Sequence, residues 1–203
     1  MKKRNSGDSK LSKRIRKWLY LIALGYCLFV VLQLLIIPVR IAIATHQSPE
    51  PQAIFALGGG TGREEFTAQF ALEHPSLDIW FSAGRYPEGP EIFREAGIPK
   101  KRVNFDWYAT DTISNFVFLL KNKNFKRHNI KHLYLITSDS HMRRASIIAT
   151  LILGSRGITF TPVEIPTGEP PQSGLAIARD TCRSVVWVAT GFTGSSIAKI
   201  IKR

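Results

Sequence analysis

The twenty residues from Trp18 to Ile37, WLYLIALGYCLFVVLQLLII, constrain this 203-residue chain more than any other feature. Gln33 is the only clearly polar side chain among them. A helix over this run is roughly 30 Å long, the thickness of a bilayer's hydrocarbon core. Pro38 and Arg40 then end the apolar run. Ahead of it, residues 1–17 carry eight Lys or Arg and a single acid, Asp8. Basic residues flanking a span stay on the cytoplasmic side. The sequence therefore predicts a single-pass protein of the plasma (inner) membrane, with a cytoplasmic N-terminus and an extracytoplasmic domain. Trp18 and Tyr20 stand where interfacial aromatics belong. The rival reading is a cleaved signal peptide, with Ala42-Ile43-Ala44 offering a cleavage site. Signal sequences have an apolar core of about 7–15 residues, and this one is longer, which favours a retained anchor.

The basic head also accounts for most of the formal net charge of +13. Residues 1–17 contribute +7 of it, while residues 46–203 hold nineteen bases against fourteen acids. The excess is thus mainly a topology signal and not a nucleic-acid footprint. What remains suits an anionic ligand or lipid headgroups. Cys27 lies in the predicted span and Cys182 beyond it, so the two are not expected to pair.

Residues 38–52 read as a linker between the span (18–37) and a domain over 53–203. Within the domain, short apolar runs at 53–59, 78–84, 102–108, 132–138 and 158–165 read as strands. Helical patterns at 63–74, 90–97, 111–126, 141–154 and 175–190 separate and follow them. Strand alternating with helix predicts an α/β fold: a three-layer, Rossmann-like domain with a mainly parallel sheet of about five strands.

The unusual polar residues follow the strands. The first strand runs into Gly58-Gly59-Gly60-Thr61-Gly62-Arg63, and the second into Ser82-Ala83-Gly84. The third leads to Asp111, Thr112 and Asn115, and the fourth to Ser138-Asp139-Ser140-His141-Met142-Arg143-Arg144. In an open parallel sheet these loops share one edge, where ligands bind. Glycines ahead of a helix can offer backbone N–H groups to an anion. Arg63 opposes the helix dipole at its position, which argues for an anionic partner. A histidine near a helix N-terminus has its neutral form favoured, making His141 a candidate acid or base. His46, His74, His128 and His132 lack such company and read as surface residues. Asp111 also reads as a helix cap, as does Ser138 or Ser140. The spacing departs from the dinucleotide and P-loop fingerprints, there is no nucleophile elbow, and Asp139 with His141 is too few ligands for a metal. No cofactor is identified.

Leu57-Gly58-Gly59-Gly60 with Arg63, Ser82-Ala83-Gly84, Asp111-Thr112 with Asn115, and Thr137-Ser138 through His141-Met142-x-Arg144-Ala145 together resemble the YdcF/SanA/ElyC family, domain of unknown function 218. The resemblance covers roughly residues 53–165. It implies a Rossmann-like fold, often behind an N-terminal membrane helix, and a role in bacterial envelope or cell-wall biogenesis. Relatives tend to carry a glutamate where Ser114 stands, and often a proline where Arg143 stands. An acidic helix position found in many of them has only Glu91 and Glu95 as candidates here.

The expected function is binding of an anionic small molecule or lipid-linked phosphate by Gly58, Gly59, Gly60, Arg63, Ser82, Gly84, Asp111, Thr112, Asn115, Ser138, Arg143 and Arg144. His141 is the catalytic candidate should the protein be a hydrolase or transferase. The alternative is a non-catalytic binding or scaffold protein for a nucleotide-like metabolite.

Overall fold

The computed structural model describes residues 6–59 and 62–192. Two helices open the chain, α1 (Ser6–Leu35) and α2 (Ile37–Gln47). From Lys13 onward they form a path long and apolar enough to cross a membrane, and almost none of its most apolar stretch is buried. The linker expected over 38–52 is thus helical as far as Gln47. Proline is tolerated in the first turn of a helix, where its missing N–H has no partner to lose. Pro38 occupies that place in α2, so the chain turns only at Ile36. Ile36 N donates to Leu32 O and Arg40 N to Ile36 O, which carries the hydrogen bonding across the joint.

The domain follows as β1 (Ala53–Leu57), α3 (Arg63–Glu73), β2 (Asp78–Ser82), α4 (Glu88–Glu95), β3 (Val103–Asp106), α5 (Thr112–Lys121), α6 (Lys123–Arg127), β4 (His132–Ser138), α7 (Asp139–Ile152), β5 (Thr159–Ile165) and α8 (Gly174–Thr190). The helix expected over 111–126 is divided at Asn122, whose side chain caps α6 by accepting from Asn124 N and Phe125 N. All strand pairs are parallel, in the order β3-β2-β1-β4-β5. This is the Rossmann-like α/β architecture expected.

Strand side chains alternate between two cores. Phe55, Leu57, Leu133 and Leu135 pack with α5, α7 and Trp187 of α8. Ile54, Ala56, Ile79, Phe81 and Ile136 pack with Ala68 and Ala71 of α3 and Phe93 of α4. All five residues of β1 are buried, as a central strand covered on both faces must be. The chain winds outward from β1 through β2 to β3, then returns to place β4 on the other side of β1. The switch point of the sheet therefore lies between β1 and β4.

Helix α2 meets the domain at the amino ends of the strands. Ile37 and Ile41 press against Gly154, where a Cβ would lie 2.9 Å from each. Arg40 donates to Ser155 O, and Thr45 Oγ1 to Thr159 Oγ1 at 3.3 Å. His132, expected at the surface, is buried at the start of β4, where Nδ1 donates to Ser48 O at 2.8 Å. His74 is half-buried, its ring stacked on Phe70 and against Tyr134. α8 runs from the carboxyl edge of the sheet back to this amino edge. There Arg156 lies over the Trp187 ring, and Tyr26 of α1 donates to Ala189 O at 3.4 Å.

Candidate functional site

The loops after β1 and β4 flank the switch point, and Arg63 ties them together. Its Nη1 donates to Leu57 O (2.9 Å) and Gly58 O (2.7 Å), and its Nη2 to Ser138 Oγ (2.9 Å). Burial lowers its pKa, against the raising influence of Glu169 and Glu64. Arg63 is therefore not a free cation awaiting an anion. It secures the ends of the two central strands.

Gly58 is likewise occupied. Its N–H donates to Ser82 O at 2.7 Å, so it is not an open donor for a ligand. The absence of a side chain serves packing: a Cβ would lie 2.7 Å from Ala83 C, 2.8 Å from Ser82 O, and closest of all to Ala83 O. Gly59 is exposed with φ +87° and open space around it, whereas Gly60 lies outside the described residues. Gly84 is a close-packing position beneath Phe81 and Phe105.

Ser138 stands at the N-cap of α7 but makes no side-chain cap; its hydroxyl receives Arg63 and lies 3.2 Å from Ser140 Oγ. Ser140 Oγ donates in turn to Glu169 Oε2 at 3.2 Å. His141 follows on α7, buried, with Nε2 3.4 Å from Thr112 Oγ1 in the first turn of α5. Its Nδ1 is buried and makes no hydrogen bond. Burial is the main cause lowering its pKa; the Gln172 side chain opposes this, and Arg63 and Arg144 add to it. The imidazole is thus neutral near pH 7.

Arg144 pairs with Asp180 of α8 and donates to Gln172 Oε1 at 3.0 Å, while its Nε is buried without a partner. Asp180 is fully buried and also receives Arg179 Nε (2.9 Å) and Arg183 Nη1 (3.4 Å). Burial acts to raise the Asp180 pKa, but the Arg179 and Arg144 contacts outweigh it and hold the carboxyl low. Arg183 Nη2 continues the chain of charge to Asp111 Oδ2 at 2.7 Å. Asp111 caps α5 by accepting from Ser114 N (2.8 Å), and Ser114 Oγ accepts from Asp111 N (2.9 Å), closing a capping box. Asp111 is therefore both cap and ion-pair partner. Asp180 and Arg183 belong to no sequence motif; the only signal was charge on the buried side of a helix.

Ser82 and Asn115 fall in a neighbouring buried cluster. The one proton of Ser82 Oγ faces two acceptors at 3.1 Å, Asp106 Oδ2 and Asn115 Oδ1; turning the Asn115 amide over would let it donate instead. Arg143 is exposed on α7 and joins none of these contacts. Glu91 and Glu95 are exposed on α4, with Glu91 paired to Arg94. A second buried carboxylate besides Asp180 is Glu64, whose Oε1 accepts from Arg85 N at 3.1 Å and whose Oε2 is buried without a partner.

No family model, curated protein or solved structure matches the chain. Among the described residues, no group of three or more His, Cys, Asp or Glu side chains could hold a metal ion. The arrangement offers a neutral imidazole, the hydroxyls of Thr112, Ser138 and Ser140, and two arginines whose charge reaches His141. That is chemistry for orienting an anion and moving a proton.

Proposed function

We propose that this chain is a membrane-anchored envelope protein whose α/β domain binds an anionic small molecule at the switch point. The supporting observation is His141: buried, uncharged, beside the Thr112 hydroxyl, and lying within the field of Arg63 and Arg144. Gly59 would add a backbone donor, and Ser138 and Ser140 hydroxyl contacts. His141 would move the proton in a hydrolase or transferase reaction on a phosphorylated envelope intermediate. The resemblance to the YdcF/SanA/ElyC family and the basic head support the envelope assignment and the extracytoplasmic placement of the domain.

The anchor joins at the amino ends of the strands and the site lies at their carboxyl ends. Seven residues of β4 separate the two edges, roughly 23 Å at about 3.3 Å per residue. This favours a water-borne phosphate over one held at the membrane surface. A second reading, a non-catalytic binding or scaffold protein, draws on the commitment of Arg63 and Arg144 to protein acceptors.

The test is calorimetric titration of the full chain in detergent with phosphate and phosphate monoesters, followed by turnover assays. His141→Ala and Arg144→Ala should lose binding or turnover while the circular dichroism spectrum persists. Wild-type affinity in both variants refutes the reading. Tight binding without turnover selects the scaffold reading. A reporter fused to the C-terminus that signals from the cytoplasm would overturn the topology.

A further inference from the structure

The last turns of α8 lie beside α1. Tyr26, the α1 residue that contacts Ala189 O, precedes Ile37 by eleven residues, roughly 16 Å of helix. Tyr26 is therefore near the middle of the apolar run of residues 18–37. A groove of ≈ 420 Å³ separates the two helices, lined by Tyr26, Cys27, Val30 and Val31 on one side and by Val185, Val186, Ala189 and Thr190 on the other. Its exposed lining is entirely apolar, and Val186 beside it is 50% exposed.

The end of α8 also has part of its backbone satisfied internally. Helix-terminal carbonyls have no partners of their own within the helix. Here Val186 O accepts from Thr190 Oγ1 (2.7 Å), Trp187 O from Gly191 N (2.7 Å), and Ala189 O from the Tyr26 hydroxyl. Thr190 Oγ1 further accepts from Phe192 N at 3.1 Å. In hydrocarbon each unsatisfied backbone group costs several kcal/mol, so internal satisfaction is what permits immersion. The Tyr26 hydroxyl, inside the apolar run, meets the same need by donating to Ala189.

We infer that the groove-lining face of Val185–Phe192 lies in the bilayer alongside α1, while Trp187 under Arg156 keeps the opposite face on the domain, and that a lipid acyl chain fills the groove between them. The inference rests on α1 crossing the membrane. One wall of the groove is the span itself, so what surrounds the span is what reaches the groove. Asp180, which pairs with Arg144, lies on the same helix five residues before this segment, roughly 7.5 Å along it.

The test is nitroxide accessibility in the full chain reconstituted into phosphatidylethanolamine/phosphatidylglycerol vesicles, with Cys27→Ser and Cys182→Ser as background. Single labels are placed through Val186→Cys, Leu28→Cys in the span, and Leu175→Cys at the far end of α8, which is 82% exposed. The expected result is several-fold greater collision with oxygen than with a water-soluble nickel chelate at 186 and 28, and the reverse at 175. A water-exposed label at 186 with a lipid-exposed label at 28 overturns the immersion of α8 while leaving the anchor intact. Water exposure at 28 overturns the span, and the inference with it.

Discussion

Replacing Gly58 by alanine tests which of two jobs the glycine run performs. If Gly58 serves as an open backbone donor, a methyl group there should weaken ligand binding and leave the fold alone. The structure assigns it to packing between the ends of β1 and β2. The new Cβ would sit 2.7 Å from Ala83 C and 2.8 Å from Ser82 O, against ordinary contacts of 3.4 Å or more. These are backbone atoms, so no side chain can swing aside. The strand ends must part by more than half an ångström, which also stretches the Gly58 N to Ser82 O hydrogen bond. Overpacking of this kind costs about 1–3 kcal/mol and the bond about 1 kcal/mol, giving about 2–4 kcal/mol in all. For a chain of this size that lowers Tm by roughly 5–15 °C. The assay is thermal unfolding of the full chain in detergent, followed by far-ultraviolet circular dichroism, with Gly59→Ala as reference. Gly59 has open space around it and only its positive φ to strain, so its variant should lose about 1–2 kcal/mol. A Gly58→Ala protein as stable as the Gly59→Ala protein would refute the packing argument.

Asp180→Asn should destabilise the fold by about 3–5 kcal/mol in chemical denaturation, because Arg144, Arg179 and Arg183 would lose their shared buried counter-charge. His141 has a folded pKa below its unfolded value of about 6.5, so the unfolded chain binds the extra proton first. Its contribution to stability is full above about pH 6.5 and falls as the pH drops toward the folded pKa; His141→Gln should flatten that segment of the denaturation profile. Ala83 has φ +59°, so Ala83→Gly should raise stability by roughly 0.5–1 kcal/mol, read as a higher Tm.

The strands were legible because their patterns were unambiguous: AIFAL and HLYLITS are short, apolar runs ended by glycine or by hydroxyl residues. That the sheet is parallel followed from helices alternating with strands, and the shared edge from the polar residues after each strand; the strand order did not follow from either. The anchor's end was not legible, because Pro38 looks like a terminator until it is seen in the first turn of a new helix. His132 looked solitary because its partners, Ser48 and Thr161, are 84 and 29 residues away. The Asp180 hub was hidden for the same reason: Arg144 is 36 residues from it, and Arg183 is 72 from Asp111. The run of glycines announced a tight turn, but only the approach of Ala83 and Ser82 shows which glycine is excluded from ligand contact. Glu64 passed unnoticed because a glutamate in a first helical turn is common, and its burial depends on Arg85 arriving from β2.

The helical continuation through Gln47 sets how the domain can move. A flexible fifteen-residue tether over 38–52 would let the domain roam roughly 20 Å in any direction. That is close to the height of the sheet, so a tethered site could have swung down to the headgroups. Ile37 and Ile41 against Gly154, with Thr45 on Thr159, make the connection a strut instead. α2 and the sheet then move as one piece, and whatever bending the chain allows is left to the turn at Ile36.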